Sequence, residues 1–332
     1  MADGTQTPTT GAEDVRWDLR DLYTDLDDPR LDADLDALVA EAAAFEQAHR
    51  GKLADTLGVA LQARARMDER ATKLYLYLHL RRTTDAANAR VQQKLGTVFE
   101  RWSVAEADHL NFFDHELVAI DDATYAAILE RDEVARRHRS LLDHLRANRR
   151  YLLEETVERA LTLRAPFGAG EWGDYVEEVE SQLRFTLDDK ALTLPEILHV
   201  IGNDRDRERR AAALAAFSGG MKEQRFDVLM ARTLNVVLGA KAVEDKERGY
   251  ASPMSSRNIG NRVDDATVEA LHEAVAELGA AQGRRYYRLL AAHLGLPTLR
   301  WSDRNAPLPF SDERVIPWGD CVDTVLSAYG SF

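Results

Sequence analysis

Positive charge and long apolar runs are both scarce in this 332-residue chain. Its 43 Lys and Arg residues are outnumbered by 57 Asp and Glu residues, which gives a formal net charge of -14. A protein that binds nucleic acid or an anionic membrane needs clustered positive charge to neutralise phosphates, so this balance argues against both partners. No run approaches the roughly 18 to 20 apolar residues that cross a bilayer, and the N-terminus lacks the pattern of a signal peptide. We therefore expect a cytoplasmic protein.

Cysteine and proline are also sparse. The single Cys321 excludes an intrachain disulfide and any Cys-x-x-Cys metal or redox site, and it is more typical of a small buried side chain than of a nucleophile. Proline is absent between Pro29 and Pro166, so nothing in that stretch forces a helix to break. The remaining composition, 45% hydrophobic and 30% charged, is that of a globular protein with a large core.

Apolar residues recur at helical spacing from Leu31 to about Arg164, as in Leu35, Leu38, Val39, Ala42 and Phe45. This pattern predicts an all-α protein of long antiparallel helices, with breaks near Gly51, at 121–124 and at 163–173. The run 74–80 alternates Leu with Tyr75, Tyr77 and His79 but lies inside the helical pattern. We expect a helix there with both tyrosines at least partly in the core.

The segment 184–194 is the local exception, because two short β-prone runs flank an Asp-Asp turn and predict a small hairpin. Helices resume at Pro195, with Thr193 as the N-cap, and continue over 205–217 and 226–242. A loop is expected at 252–261, then a helix from Asp264 or Asp265 to about Leu294, irregular structure over 297–317 and a helix over 318–329. We divide the chain into a disordered leader (1–14), a helical domain (15–165) and a second domain (166–332).

Local signatures of catalysis are missing. Gly168, Gly170 and Gly173 match the dinucleotide-binding pattern GxGxxG, but they follow a helix rather than a buried strand, so we expect an ordinary loop. His115-Glu116 and His272-Glu273 begin the zinc motif HExxH, but the second histidine is absent from both. The basic clusters 146–150 and 205–210 are expected to be solvated helix faces with ion pairs four residues apart.

Several short motifs nevertheless follow a familiar order along the chain. They are Trp17-Asp-Leu-Arg-Asp-Leu-Tyr23, Arg209-Arg-Ala-Ala-Ala, Leu234-Asn235, Lys241, Glu247-Arg-Gly-Tyr250, Tyr286-Tyr-Arg-Leu-Leu-Ala-Ala-His-Leu-Gly295, Asp303 and Pro307. Together these motifs resemble oligoendopeptidase F and its relatives among the thimet oligopeptidase and neurolysin group of zinc peptidases. The resemblance runs from about residue 15 to the C-terminus.

The resemblance implies a mostly helical, neurolysin-like half of a channel that admits short unfolded peptides. In the family, zinc is held by an HExxH helix and a later Glu, which lie beyond the segment matched by Asp303 to Pro307. This sequence resembles only the N-terminal portion. We therefore expect that the 332 residues alone bind no catalytic zinc and hydrolyse nothing, and that a C-terminal zinc-bearing half is the partner they lack.

Two interpretations of function remain open. One is the non-catalytic wall of a zinc oligopeptidase, and the other is a stand-alone helical protein that binds peptides or another partner without cleaving them. Substrate-channel candidates implied by the resemblance are Arg248, Tyr250 and Asp303, whose polar groups could meet a peptide backbone. The alternative for Arg248 and Asp303 is that they form ion pairs that hold loops. No residue here is assigned to catalysis or to a metal.

Overall fold

The structure is a computed structural model that describes residues 9–308, 310 and 314–331. Residues 1–8 of the predicted leader lie outside the described residues. In the rest of that segment, the amide of Thr10 donates to Glu13 (2.6 Å), and the carbonyl of Thr10 accepts from the amide of Trp318 (2.7 Å). No described helix is both long enough and apolar enough to cross a membrane.

The N-terminal part is a stack of helices. They are α1 (Pro29–His49), α2 (Leu53–Thr84), α3 (Ala89–Ala105), a π-helical turn (Glu106–Leu110), α4 (Phe112–Ala119), α5 (Asp122–Arg131), α6 (Glu133–Arg137), α7 (Arg139–Ala147), a 3-10 turn (Asn148–Tyr151) and α8 (Glu155–Arg164). The break near Gly51 and the break near residue 121 are confirmed. Between α4 and α8 the helices are shorter than expected, at 5 to 10 residues each.

Aspartate caps explain the short helices. The Asp121 carboxylate accepts from the amide of Thr124 and starts α5, and the Asp132 carboxylate accepts from two amides and starts α6. An acidic side chain that satisfies free amides favours a new helix start over continuation of the old helix. Apolar spacing alone does not reveal such interruptions.

The first core lies between α1, α2, α3 and α4. Its fully buried members include Leu35, Leu38, Tyr77 and Phe112. Tyr77 meets Tyr23 edge-on, with 5.2 Å between ring centroids. Tyr75 instead has 46% of its surface exposed and does not pack against the first core, so the prediction that both tyrosines lie at least partly in the core is wrong for Tyr75. The two residues are two positions apart, which turns them to different faces of α2.

The second part opens with the 3-10 turn Ala165–Phe167 and continues with α9 (Ala169–Gln182), β1 (Phe185–Leu187), β2 (Lys190–Leu192), α10 (Leu194–Asn203), α11 (Arg207–Glu223) and α12 (Phe226–Arg248). The predicted break at 163–173 is therefore much shorter than expected. Gly170 and Gly173 lie inside α9, and only Gly168 acts as its cap. The loop expected for the three glycines is wrong, because α9 packs Val176 and Val179 against the second core.

The predicted hairpin is confirmed. β1 and β2 pair antiparallel with Phe185 opposite Leu192, and the turn residues Asp188 and Asp189 have φ of 51° and 60°. Two consecutive left-handed residues make a turn whose twist matches the strands. The hairpin places Phe185 in the second core with Ile197, where its ring lies so close to Gly220 that an added Cβ would be 2.7 Å away.

The remaining helices are α13 (Ser255–Gly260), α14 (Asp265–His293), a 3-10 turn (Trp301–Asp303) and α15 (Trp318–Tyr329). The loop expected at 252–261 is wrong, because α13 occupies most of it and buries Ser255 and Asn258. Cys321 is partly exposed rather than buried. In the part that the structure describes, the β1–β2 hairpin is the sole sheet, so the predicted helical fold with one small hairpin is confirmed.

Candidate functional site

A cleft of about 660 Å³ opens between α2 and α3 on one side and the turn Ala165–Phe167 with α9 on the other. We call it the α3–α9 cleft. Its volume lies within the roughly 300 to 1,000 Å³ of small-ligand sites. The lining residues are Tyr75, Arg82, Gln92, Leu95, Gly96, Phe99, Glu100, Ala165, Pro166, Phe167, Gly170, Glu171, Asp174, Tyr175 and Glu178.

Helical spacing brings the polar lining together. Glu171, Asp174 and Glu178 are three and four residues apart on α9, so they share one face. On α3, Gly96 and Glu100 are also four residues apart and share a face. The spacing of these residues is visible in the sequence. It did not predict a shared helix face on α9, because the segment with the three glycines was expected to be a loop.

The charge of the cleft is dominated by carboxylates. The Arg82 guanidinium is nearly buried and donates to Asp174 (2.8 Å) and Glu177 (3.2 Å). Its side chain is 9% exposed, and burial would lower the pKa of Arg82, yet the bonds to these acids raise it. Arg82 therefore stays protonated, and its positive charge is balanced by the carboxylates of Asp174 and Glu177. Within the described ranges, Glu100, Glu171 and Glu178 have no side-chain hydrogen bond or ion pair.

Aromatic rings supply the apolar part of the cleft. Tyr75, Phe99, Phe167 and Tyr175 all line it and are all exposed, with Phe167 at 72%. Exposed aromatic rings beside carboxylates are unusual for a solvated surface, since rings are normally buried. The arrangement suits a ligand that offers both apolar contact and positive charge.

The second group of interest lies where α8 meets α12. Arg248 donates to both oxygens of Glu158 (2.6 and 3.0 Å) and to the carbonyl of Tyr151 (3.1 Å). The ring of Tyr250 stacks on Tyr151 with 4.5 Å between centroids. Burial raises the pKa of Tyr250, so its phenol remains neutral at physiological pH. Arg248 and Tyr250 thus share Tyr151 as a neighbour.

The third candidate, Asp303, is fully buried in a separate cluster. It accepts from Arg207 (2.8 Å), Arg210 (2.8 Å) and the amide of Arg300 (2.8 Å). Burial would raise the pKa of Asp303, but these bonds outweigh it and lower the pKa to about 2. The three channel candidates are therefore divided between two places, and each charged one is engaged in ion pairs. Their role in a channel stays a prediction.

The same contacts correct the interpretation of the basic clusters as solvated faces. Arg210 has 3% of its surface exposed and pairs with Asp303, 93 residues away. The Arg146 side chain, 10% exposed, donates to the carbonyls of Leu117 and Ile120 (2.8 and 2.7 Å) at the end of α4. These arginines satisfy buried acceptors, which helical periodicity does not reveal.

The donor set of the described residues does not fit zinc. Across residues 9–308, 310 and 314–331, no group of three or more His, Cys, Asp or Glu side chains is arranged to hold a metal ion. His109 instead bonds Glu46 (2.8 Å), and His49 bonds Thr56 (2.9 Å). We therefore derive no metal-dependent step through these side chains.

Large apolar side chains are exposed on α12 and α14. On α12 they are Val228, Met230, Leu234, Leu238 and Val243. On α14, Leu271, Val275, Leu278, Tyr286 and Leu289 form a stripe at three- and four-residue spacing, with a gap at Gln282. In α14 the only fully buried residue is Leu290. An exposed apolar stripe of this length is typical of a surface that another element covers.

Comparisons with known proteins agree with the resemblance. Residues 116–185 match the family model of oligopeptidase F. The fold is similar to that of oligoendopeptidase-F from Enterococcus faecium, with a TM-score of 0.73 and 18% identity over 90% of this chain and 61% of that one. A Bacillus anthracis protein assigned as an oligoendopeptidase F has a TM-score of 0.61 and 13% identity over 92% of this chain and 52% of that one. No curated protein sequence gave a significant match.

The chain spans about half to three fifths of the length of these structures. None of the motifs that carried the resemblance lies within the matched segment, which begins in α4 and ends in β1 and contains Glu158 and the α9 wall of the cleft. The described chain has the fold of the oligoendopeptidase F structures and carries the sequence pattern of the oligopeptidase F family over residues 116–185, which confirms the resemblance.

Proposed function

We propose that this chain is the N-terminal portion of an oligoendopeptidase F-like zinc metallopeptidase that hydrolyses short peptides in the cytoplasm. The observation that carries the proposal is the family match at 116–185, set in a fold similar to oligoendopeptidase-F over nine tenths of the chain. In the complete enzyme, this chain would form one wall of the peptide channel.

In this proposal the zinc-bearing C-terminal half, and not the 332 residues of this chain, carries out hydrolysis. Because the described side chains do not fit zinc, we propose that the 332 residues alone do not cleave peptides. What they supply is binding and orientation of the peptide, which lower the barrier by holding the reacting bond in place. Arg248, Tyr250 and Asp303 remain the proposed channel residues of the wall.

We propose that a zinc-bearing C-terminal half covers the exposed apolar residues of α12 and α14. Burial of apolar surface stabilises association by about 25 cal/mol per Å² before the costs of ordering are subtracted. The stripe on α14 would supply much of that contact.

The test starts from the protein as its source makes it. An antibody against this chain would isolate the native polypeptide, its intact mass would be measured, and a quenched fluorescent peptide would be offered. Cleavage that a chelator abolishes and zinc restores is the expected result. A native polypeptide that is folded, as judged by circular dichroism, and does not cleave any member of a short-peptide library contradicts the proposal.

The channel role of the candidate residues is tested in the same native enzyme. Tyr250→Phe removes the phenolic hydroxyl group but keeps the ring that stacks on Tyr151. A channel role predicts a raised KM with unchanged melting temperature, whereas a structural role predicts a lower melting temperature with unchanged KM.

The alternative, a stand-alone protein that binds peptides without cleaving them, is favoured by one observation. The α3–α9 cleft, with a volume of about 660 Å³, is lined by described residues of this chain. A stand-alone protein should be monodisperse and melt in one transition, whereas a half-enzyme with exposed apolar helices should self-associate.

A further inference from the structure

We infer that the α3–α9 cleft is a binding site for short peptides that carry an Arg or Lys side chain next to an apolar residue. The inference rests on the proposed function for the peptide nature of the ligand. It adds the side-chain class that the cleft selects, which neither the fold nor the family match specifies.

Charge is the first argument. Among the described residues that line the cleft, Arg82 is the single cation, and it is neutralised by Asp174 and Glu177. Glu100, Glu171 and Glu178 then face the cleft with no counter-ion among the described residues. Three like charges around one cavity repel each other, and a bound ammonium or guanidinium group relieves that repulsion. An anionic ligand meets the opposite condition and is excluded.

The aromatic lining is the second argument. Rings from α2, α3, the 165–167 turn and α9 surround the acidic groups. A cation over an aromatic face is attracted to the negative face of the ring, and more strongly where water is excluded. The methylene stem of Arg or Lys can lie on the same rings while its head reaches the carboxylates. An apolar neighbouring residue would cover the exposed ring of Phe167.

Two glycines that line the cleft allow it to be filled by substitution without a change in its charge. Gly96 and Gly170 lie on opposite walls, and a Cβ added at either meets nothing within 4 Å. Leucine at these positions would project into the open space of the cleft and favour the helix by propensity. Gly173 also has open space around it and lies in α9, but it does not line the cleft.

The experiment measures fluorescence polarisation of a labelled peptide, Ala-Phe-Arg-Leu-Arg-Phe-Ala, with the purified 332-residue chain. The same peptide with Gln in place of both Arg residues is the matched probe. We expect the Arg peptide to bind at least about tenfold more tightly than the Gln peptide, with the difference shrinking as salt rises. Glu100→Gln with Glu171→Gln should remove most of that difference.

The variants separate the cleft from the overall negative charge. Gly96→Leu and Gly170→Leu should each weaken binding of the Arg peptide about tenfold or more. Gly173→Leu and Glu273→Gln on α14 should leave it unchanged. Equal weakening by Glu273→Gln and by the cleft variants, or no effect of Gly96→Leu in a chain with unaltered melting temperature, overturns the inference. If spermidine competes as well as the unlabelled Arg peptide, the inference is also overturned, because the cleft would then select for positive charge alone.

The binding assay does not depend on hydrolysis, so the two proposals fail separately. Zinc-dependent cleavage by the native protein without cleft-dependent binding overturns only the inference about the cleft. Cleft-dependent binding by a native protein that cleaves nothing overturns only the proposed hydrolysis.

Discussion

Arg248 holds both carboxylate oxygens of Glu158 across 90 residues of sequence, at 2.6 and 3.0 Å. The two side chains are 15% and 11% exposed. Burial alone would raise the pKa of Glu158, but the bonds from Arg248 and from the amide of Leu153 lower it. This pair links α12 of the second part to α8 of the first.

Removal of one member of this pair should be costly. We expect Arg248→Ala to lower the free energy of unfolding by about 3 to 5 kcal/mol, because it leaves a buried carboxylate without its counter-ion. Urea unfolding followed by circular dichroism measures the loss. The control is Glu208→Ala, which removes the exposed Arg300–Glu208 pair, at 50% and 73% exposure, and should cost less than about 1 kcal/mol. Equal losses would show that Arg248 is not a structural tie.

The stability supplied by Asp303 should depend on pH. Its folded pKa is about 2, below the unfolded value of about 3.9, so its contribution is present above pH 4 and is lost as pH falls toward 2. That contribution is about 2 kcal/mol at pH 7, and about half of it is lost by pH 3. Urea unfolding at pH 7, 5 and 3 measures the difference in the free energy of unfolding between the wild type and Asp303→Asn. This difference should narrow only at the lowest pH. A gap that is constant from pH 7 to pH 3 would contradict the ion-pair account.

Two helical glycines should respond oppositely to alanine. A Cβ on Gly58 would overlap the carboxylate of Asp132, which is fixed by the Gly58 amide (3.0 Å) and by the first amides of α6. We expect Gly58→Ala to destabilise by about 1 to 3 kcal/mol, because the cap of α6 must move. Gly96→Ala has open space and should stabilise by about 0.5 to 1 kcal/mol through helix propensity. Urea midpoints shifted in the same direction would contradict the packing at Gly58.

The stripe on α14 should drive self-association of the isolated chain. Leu278 is 65% exposed at the middle of the stripe, so Leu278→Glu should reduce association without lowering the melting temperature. Analytical ultracentrifugation measures the association and differential scanning fluorimetry the stability. Ala280→Glu, on the opposite face of the same helix, introduces the same charge and should leave association unchanged. An equal effect of both substitutions would show that net charge, not the stripe, controls association.

Local signals predicted the elements that depend on neighbouring residues. Thr193 caps α10 and the Asp-Asp turn forms the hairpin, as their sequence patterns indicated, and of the two predicted cap residues Asp264 is the one that caps α14. Each of these features is decided within a few residues. The break at Asp132 was not predicted, because apolar spacing does not show where an Asp side chain caps a new helix, and the break predicted at 163–173 is shorter in the structure because a helix begins directly after Gly168.

The candidate site was only partly readable. The spacing of Glu171, Asp174 and Glu178 was visible, but not that α3 lies opposite with Phe99 and Glu100. Likewise, the family motifs pointed to Arg248 and Asp303 without showing which groups surround them. Glu158 lies 90 residues from Arg248, and Arg210 lies 93 residues from Asp303.

By itself, the sequence determined the helical class, the hairpin, the acidic surface and the resemblance to oligoendopeptidase F, because composition, periodicity and capping act over short distances. Only the tertiary structure decided which charges are buried and which lack a partner. Arg210 became a buried partner of Asp303, while Glu100, Glu171 and Glu178 converged on one cleft. Burial and pairing depend on packing between distant elements, and packing sets whether a charge stabilises the fold or remains available to a ligand.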